Sequence, residues 1–250
     1  MSDNSTQTRP LSVIVTGGSS GLGVTMTKYF ASLGYIVSIL DVNTSLGHKV
    51  VTDIGAEYPQ STISFKRVDV TSWSDLATAF REVYQSRGAV DIVMANAGIS
   101  EQGASSLTLV DEDEPSQPRL RTLDVNLTGV IYTVKLGAHY IKKNHPDPTT
   151  GSRGTIICTA SNAGLYPFPV APIYAASKAG VIGLVRSLAR VLERVNIRIN
   201  ALAPAVLGKI PPPPFSAFPK LPTRVCIAIT LLTNTIQKAD LPPLKPYSRR

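Results

Sequence analysis

The stretch Leu11-Ser-Val-Ile-Val-Thr16-Gly-Gly-Ser-Ser-Gly-Leu-Gly23 decides the fold, because it joins a short β-branched run to a glycine-rich turn at the start of a helical pattern. Glycine at such a turn lets the chain reverse sharply, lets the backbone approach a pyrophosphate and lets the helix pack closely on the strand. The N-terminus of the following helix favours an anion. Such a turn can be purely structural, but its place between strand and helix favours phosphate binding. The candidate cofactor contacts in it are Gly17, Ser19, Gly21, Leu22 and Gly23.

Beyond this turn, the apolar pattern of residues 11–203 alternates between short β-branched runs and longer segments of helical period. Such alternation is typical of parallel strands joined by helical crossovers. The sequence therefore predicts an α/β fold, a single doubly wound Rossmann-type parallel sheet with helices on both faces and a ligand site at the carboxyl ends of the strands. The predicted strands are 11–16, 35–41, 62–68, 90–95, 154–160 and 197–202, and the predicted helices are 21–33, 46–58, 72–87, 120–144 and 173–195.

The composition of the chain changes near residue 203. Residues 204–250 contain seven Lys or Arg, one acidic residue and 10 of the 19 prolines, four of them consecutive at 211–214. We therefore predict a disordered N-terminus at 1–10, a Rossmann-type dinucleotide-binding and catalytic domain at 11–203, and an atypical Pro-rich, basic segment at 204–250.

The formal net charge of +8 is unevenly spread, which argues against a nucleic-acid-binding face on the folded domain. Residues 1–203 hold 18 basic and 16 acidic side chains, so that only +2 of the charge belongs to them. We expect no membrane span and a cytoplasmic location, because no apolar stretch is long enough for a bilayer and residues 1–10 contain no apolar targeting segment. The two cysteines, Cys158 and Cys226, are too few and too far apart for a structural zinc site or a disulfide scaffold, and no metal is expected.

Asp41 ends the second predicted strand, 18 residues after Gly23. This is close to the offset of roughly 20 residues at which an acidic residue binds the adenosine ribose. Its carboxylate would accept a hydrogen bond from the 2′-hydroxyl and repel a 2′-phosphate, and neither Ser20 nor Val42 supplies the cation that a phosphate would need. NAD is therefore expected in preference to NADP. The alternative is that Asp41 serves as a helix cap or turn residue.

Ser161 lies just beyond a predicted strand, and Tyr174 and Lys178 lie four residues apart at the start of the last predicted helix. That spacing puts the phenol and the ammonium on one face of the helix. An ammonium beside a phenol favours the phenolate, which makes tyrosine a usable acid/base near neutral pH. A tyrosine and a lysine at this spacing can also simply coat a helix surface, so the pair alone leaves both interpretations open.

Taken together, the glycine-rich turn, Asn96-Ala-Gly98, Ser161 and Tyr174-Ala-Ala-Ser-Lys178 resemble, in this order and spacing, the short-chain dehydrogenase/reductase family. The resemblance covers about residues 10–204 and is similar to fungal members that act on specialised metabolites. It implies hydride transfer between a nicotinamide cofactor and a secondary alcohol or ketone of a hydrophobic small molecule, as a step in fungal secondary-metabolite biosynthesis. It also implies a homodimer or homotetramer, because relatives use the last helix in their oligomer interface.

The resemblance also implies roles for individual residues. Tyr174 would be the acid/base that takes the hydroxyl proton, Lys178 would favour its phenolate and bond the nicotinamide ribose, and Ser161 would hold the substrate oxygen. Asn126 matches a helix asparagine that supports a water linking the lysine to solvent, so that the proton can escape.

Further implied contacts concern the adenosine half of the cofactor. Asp69 and Val70, after the third strand, match a pair that contacts adenine, and Asn96 belongs to a turn that packs near the adenosine ribose. Lys135 lies where some relatives carry a basic residue assigned to the cofactor, although a solvent-facing lysine is the preferred interpretation.

The pattern departs from the family after the sixth strand. Relatives continue with Pro-Gly and then a threonine that touches the nicotinamide carboxamide, whereas this chain has Pro204-Ala205 and then Lys209. A helical substrate lid cannot run through four prolines. Residues 204–250 are then either a diverged lid for a bulky substrate or a spliced or shifted reading of the gene. The alternative function is accordingly a catalytically impaired nicotinamide-binding protein that acts as a sensor or scaffold.

Overall fold

A six-stranded, wholly parallel sheet forms the centre of the computed structural model, which describes residues 9–101, 107 and 113–204. Its strand order is β3-β2-β1-β4-β5-β6. The strands are β1 Ser12–Thr16, β2 Ile36–Asp41, β3 Thr62–Arg67, β4 Ile92–Ala95, β5 Gly154–Thr159 and β6 Ile197–Leu202. The predicted doubly wound Rossmann-type sheet is confirmed, and every predicted strand begins and ends within two residues of an observed one.

Helices connect the strands and cover the sheet. They are α1 Gly21–Ser32, α2 Thr44–Glu57, α3 Trp73–Arg87, α4 Arg121–Leu123, α5 Gly129–Ile141 and α6 Pro172–Glu193. The predicted helix 120–144 is not uniform, because a π-helical turn, Asp124–Thr128, lies between α4 and α5. The apolar period did not indicate this wider turn.

Two predictions about the ends of the chain concern residues outside the described ranges. Of the predicted disordered N-terminus, only Arg9 and Pro10 are described, and of the Pro-rich segment only Pro204 is described. Within the described ranges, no helix has the length and apolarity needed to cross a membrane, and no group of His, Cys, Asp or Glu side chains is suited to hold a metal ion.

The core lies on both faces of β1, whose apolar side chains are completely buried. Ile14 packs into a large cluster with residues of α3, α5 and α6, including Phe80 and Val134. Val13 and Val15 point to the other face and pack with Phe30 of α1. Because successive strand residues face opposite sides of the sheet, a strand buried on both sides must be apolar throughout.

The position of β1 places the ligand site. From β1 the chain runs outward to β2 and β3, then returns to β4 on the other side of β1 and continues to β6. The strand order therefore reverses between β1 and β4, and a crevice opens there at the carboxyl ends of the strands. The glycine-rich turn leaves β1 at this crevice, and the turn after β4 faces it.

At the amino ends of the strands, opposite the crevice, Asp91 joins three segments of the chain. The Arg9 guanidinium donates to both carboxylate oxygens at 2.7 Å. The backbone N–H of Ser12 donates to Oδ2 at 2.7 Å, and Asn144 Nδ2 donates to Oδ1 at 3.3 Å. Asp91 is only 8% exposed, so the bonds from Ser12 and Asn144 are shielded from water, whereas the Arg9 side chain is 48% exposed. Together these bonds anchor the start of β1 and β4.

We expect Asp91→Ala to lower the free energy of unfolding by about 2–4 kcal/mol, because Arg9 and the Ser12 N–H lose their charged acceptor. Urea unfolding followed by circular dichroism measures the change. Asp53→Ala is the matched control, since it removes only the exposed ion pair between Lys49 and Asp53 and should cost less than about 1 kcal/mol. Equal losses in the two variants would contradict this account.

Candidate active site

A cleft of about 750 Å³ lies at the carboxyl ends of the strands, between the glycine-rich turn and the start of α6. These strand ends are where the sequence predicts a ligand site. The predicted site residues that line it are Gly17, Gly21, Leu22, Asp41, Asp69, Val70, Asn96, Ser161, Tyr174 and Lys178.

The glycine-rich turn is close-packed where it meets its neighbours and open where it faces the cleft. Gly17 has φ +65°, and a Cβ on it would lie 2.7 Å from the Cα of Ala97. A Cβ on Gly23 would collide with the carbonyl oxygen of Gly17, so α1 can approach the turn only without a side chain there. Gly21 has φ +51° and open space beside it. Two of these glycines thus serve packing, while Gly21 leaves room for a ligand at the N-terminus of α1.

Asp41 ends β2 at the cleft with its carboxylate fixed by backbone groups. The N–H of Ser19, in the glycine-rich turn, donates to Oδ2 at 3.0 Å, and the N–H of Asn43 donates to Oδ1 at 3.0 Å. Helix α2 is capped by the side chain of Asn43, which accepts from the N–H of Leu46. Asp41 is therefore not the cap of α2, and its remaining lone pairs are available at the cleft.

Asp69 and Val70 follow β3 and line the same end of the cleft. The N–H and hydroxyl of Thr71 donate to Asp69 Oδ1, and Arg121 Nη2 lies 3.2 Å from Oδ2. Burial would raise the pKa of Asp69, but the bonds from Thr71 and the Arg121 guanidinium outweigh it and hold the pKa below its ordinary value. Arg121 also lines the cleft, and no spacing in the sequence indicated its pairing with Asp69.

The hydroxyl of Thr16 joins the ends of β1 and β4. It donates to the carbonyl of Met94 at 3.2 Å and accepts from the N–H groups of Asn96 and Ala97 at 3.0 and 3.2 Å. The side-chain oxygen of Asn96 accepts from the hydroxyl of Thr159, at the end of β5, at 3.0 Å. Asn96 thus holds three strand ends together at the edge of the cleft.

Lys178 is a buried cation at the end of the cleft formed by α6. Its Nζ donates to the carbonyl of Thr159 at 2.7 Å and lies 5.7 Å from the centre of the Tyr174 ring. The residue is 3% exposed, and burial lowers the pKa of its ammonium to about 8. Burial also raises the pKa of the neighbouring Cys158 thiol to about 12, so this thiol does not neutralise the lysine near pH 7. Lys178 therefore presents a poorly solvated positive charge beside the phenol.

Ser161 lies opposite, at the first position after β5 and Ala160. Its hydroxyl oxygen accepts from the N–H of Ala163 at 3.2 Å and caps the short 3-10 turn Asn162–Gly164. This bond fixes the Ser161 oxygen at the wall of the cleft, which Tyr174 also lines. The structure thus brings a hydroxyl, a phenol and an ammonium from β5 and α6 to one place.

Asn126 lies in the π-helical turn Asp124–Thr128, in which the N–H of Gly129 reaches a carbonyl five residues earlier. It is fully buried behind the cleft wall. Its Oδ1 accepts from the N–H of Ile99 at 2.8 Å, and its Nδ2 donates to the carbonyl of Ile99 at 2.9 Å and to Ser177 Oγ at 3.1 Å. Asn126 therefore connects the segment after β4 to the helix that carries Tyr174.

The amide of Asn126 and the ammonium of Lys178 meet at Gly98. A Cβ placed on Gly98 would lie 3.2 Å from Asn126 Oδ1 and 3.4 Å from Lys178 Nζ. A side chain at this position would press on both groups, which explains in physical terms why the turn after β4 has glycine there.

Three of the predicted cofactor contacts, Ser19, Gly23 and Lys135, are absent from the residues that line the cleft. Ser19 and Gly23 belong to the glycine-rich turn beside it, whereas Lys135 is exposed on α5. The exposure of Lys135 agrees with the preferred solvent-facing interpretation, and its assignment to the cofactor stays a prediction. Conversely, the sequence did not single out Arg121, Thr159, Ser177 or Glu101. Of these four residues, only Ser177 lies within a sequence motif, Tyr174-Ala-Ala-Ser-Lys178, from which its role could have been predicted.

Comparison with known proteins shows similarity to one family. A family model described as short chain dehydrogenase matches residues 12–208. The short-chain dehydrogenase/reductase prx4 of Penicillium roqueforti is 37% identical over 194 residues, which cover 77% of this chain and 53% of that protein. The short-chain dehydrogenase/reductase ascJ of Acremonium egyptiacum is 36% identical over 196 residues, which cover 77% of this chain and 62% of that protein. The chain thus spans little more than half the length of these fungal relatives.

Two solved structures show the same architecture. Levodione reductase superposes with a TM-score of 0.68 at 25% identity, over 79% of this chain and 72% of that one. NAD⁺-bound xylitol dehydrogenase superposes with a TM-score of 0.68 at 26% identity, over 82% of this chain and 72% of that one.

We expect the burial of Lys178 to make stability depend on pH in the alkaline range. Its pKa is about 8 in the folded protein and about 10.4 in an unfolded chain. Between these values the unfolded state binds more protons, so the free energy of unfolding rises with pH. Relative to Lys178→Met, the wild type should gain up to about 3 kcal/mol between pH 7 and pH 10.5.

Urea unfolding at half-unit pH intervals measures this difference, in which the other titrating groups cancel. The control is Lys135→Met, which removes an exposed lysine and should leave the pH dependence of the wild type unchanged above pH 8. Parallel curves for the wild type and Lys178→Met would show that the lysine is not perturbed.

Proposed function

The chain belongs to the short-chain dehydrogenase family, and we propose that it is an NAD-dependent oxidoreductase acting on a secondary alcohol or ketone of a hydrophobic small molecule. The observation that carries this proposal is the presence of Ser161, Tyr174 and Lys178 in the same cleft as the glycine-rich turn and Asp41. Binding of a nucleotide alone does not require an acid/base group beside it. A reaction accounts for this combination better than binding does.

The described residues fit a nicotinamide dinucleotide. The open space at Gly21 and the N-terminus of α1 suit a pyrophosphate, and Asp41 presents an oriented carboxylate to a ribose hydroxyl. Its neighbours on the cleft wall, Val42, Asn43 and Leu46, include no cation for a 2′-phosphate. This arrangement supports NAD over NADP. When bound, the cofactor would accept or supply the hydride.

In the proposed mechanism, the chain's own groups hold the substrate oxygen and move its proton. The Ser161 hydroxyl, whose oxygen is fixed by the Ala163 N–H, would donate to the substrate oxygen. The Tyr174 phenolate would take the proton of an alcohol, or the phenol would return it to a ketone. The buried ammonium of Lys178 lies 5.7 Å from the centre of the Tyr174 ring, so water screens its charge little at the place where the proton would be exchanged. The carbonyl of Thr159 keeps that ammonium in place.

The wall around Ser161 and Tyr174 supports an uncharged, apolar substrate. Among the described residues, the charged side chains that line the cleft are Asp41, Asp69, Arg121 and Lys178, of which only Lys178 lies at this end. Phe168 lines this end and packs against the Tyr174 ring, with ring centres 6.2 Å apart. The adjoining segment also exposes large apolar side chains, with Tyr166 at 68% and Val170 at 71%. A hydrophobic substrate would cover such surface.

We further propose a place in fungal secondary-metabolite biosynthesis, a homodimer or homotetramer and a cytoplasmic location. The first is supported by the identity with proteins of Penicillium and Acremonium. The oligomeric state rests on the sequence resemblance, and the cytoplasmic location stays a prediction. Whether residues 205–250 are a diverged lid or a misread ending stays a prediction, since they lie outside the described ranges. The alternative of an impaired sensor or scaffold is not favoured, because Ser161, Tyr174 and Lys178 line one cleft.

Tyr174→Phe tests the reaction. We expect this variant to bind NADH within about twofold of the wild type, and to lose turnover of secondary alcohols by a factor of roughly 10²–10⁴, because only the proton-transfer group is removed. A panel of hydrophobic secondary alcohols with NAD, followed by absorbance of the reduced cofactor, measures turnover. Tyr29→Phe, at an exposed position on α1, is the control. Equal turnover in Tyr174→Phe and the wild type would exclude this mechanism.

Asp41→Asn tests the choice of cofactor. The asparagine keeps an oxygen that can accept from the Ser19 N–H but removes the charge that repels a phosphate. We expect the wild type to bind NADH at least roughly tenfold more tightly than NADPH, and the variant to lose most of that preference. Fluorescence titration and the shift of the melting temperature with each cofactor measure it. Tighter binding of NADPH by the wild type would reject NAD as the cofactor.

A further inference from the structure

Helix α6, which carries Tyr174 and Lys178, begins without a cap of its own. Its N-cap residue is Ala171, whose side chain cannot accept a hydrogen bond, and its first residue is Pro172, which has no N–H. The first free backbone donors are therefore those of Ile173 and Tyr174. Donors at these positions are the ones that a capping side chain normally satisfies.

Glu101 supplies the missing cap from about 70 residues away. Its Oε2 accepts from the N–H of Ile173 at 3.0 Å and from the N–H of Tyr174 at 3.2 Å. A carboxylate at this end of a helix also complements the positive end of the helix dipole. By contrast, α2 and α3 are capped locally, by Asn43 and Ser72. The helix with the proposed catalytic groups is therefore fixed at its start by a residue of the segment that follows β4.

The same segment holds the first turn of α6 at a second point. Ile99, two residues before Glu101, exchanges two hydrogen bonds with Asn126. Asn126 donates to the hydroxyl of Ser177, which donates to the carbonyl of Tyr174 at 2.6 Å. Both backbone polar groups of Tyr174 are thus connected to the chain after β4, the N–H through Glu101 and the carbonyl through Ser177 and Asn126.

We propose that Glu101 is a positioning residue for the reaction. By capping α6 it keeps the helix wound through Tyr174, and so keeps the phenol and the Lys178 ammonium in register with Ser161. An uncapped first turn frays, and a displacement of about 1 Å at a reacting group can cost roughly 10²-fold in rate. The catalytic consequence rests on the proposed function, whereas the capping itself does not.

Kinetics of Glu101→Ala and Glu101→Gln test the catalytic consequence. We expect Glu101→Ala to lower kcat by roughly tenfold or more, while the Kd for NADH and the KM for the alcohol stay within about twofold. Glu101→Gln keeps an oxygen that can accept from both N–H groups and should recover most of the lost turnover. Ser72→Ala is the matched control, because it removes the cap of α3, a helix without catalytic groups, and should leave kcat unchanged.

Hydrogen exchange of the backbone amides tests the cap without any turnover. Glu101→Ala should exchange roughly five- to tenfold faster in a peptide that covers residues 172–178, whereas Glu101→Gln and Ser72→Ala should match the wild type there. A wild type without turnover, but with these exchange rates, would reject the proposed function and keep the capping of α6 by Glu101. Unchanged exchange in Glu101→Ala, or equal loss of kcat in the Ala and Gln variants, would overturn the proposal.

A double variant covers the case in which Glu101→Ala does not fold. Glu101→Ala with Ala171→Ser places a hydroxyl at the N-cap position, from which it can accept the same N–H groups. If capping is the role of Glu101, the double variant folds and the protection of residues 172–178 returns. If the double variant also fails to fold, Glu101 has another role and the proposal is wrong.

Discussion

The hydrogen bonds around Asn96 are the connection on which the rest of the site depends. Its amide nitrogen donates to the carbonyls of Thr16 and Gly17, each at 3.2 Å, and so fixes the start of the glycine-rich turn. Its oxygen accepts from Thr159, whose carbonyl in turn accepts from Lys178. A continuous series of polar contacts thus runs from the proposed pyrophosphate site to the proposed catalytic lysine. Because these groups are largely shielded from water, a loss at any member leaves partners unsatisfied.

The site places a cation where the fold alone would favour an apolar side chain. Lys178 is nearly fully buried between β5 and the segment after β4, and its lowered pKa expresses the free energy lost on removing the ammonium from water. The carbonyl of Thr159 recovers only part of that loss. The stability that offsets the cost of burying Lys178 comes from the apolar faces of β1 and from the carboxylate of Asp91 at the amino ends of the strands.

Most of the sheet and many of the residues that line the cleft could be predicted from sequence, because the strands depend on local period and the motifs on fixed spacing. The strand 197–202 was predicted without error, and Asp41 was placed correctly at the end of β2. The cofactor role of Lys135 stays a prediction, and its exposed position on α5 agrees with the solvent-facing interpretation that the sequence favoured. The roles of Glu101 and Arg121 arise from contacts over 72 and 52 residues, which no local pattern carries.

The π-helical turn at Asp124–Thr128 has a consequence for how this helix tolerates changes in length. Each residue added to an α-helix rotates everything beyond it by about 100°. The wide turn absorbs one extra residue, so that Asn126 points towards Ile99 while Val130 and Val134 of α5 still face the core. Deleting the extra residue would restore ordinary winding with Val130 and Val134 still facing the core, but Asn126 would lose the wide turn from which its amide reaches Ile99. The extra residue thus affects the placement of Asn126 and leaves the packing of α5 unchanged.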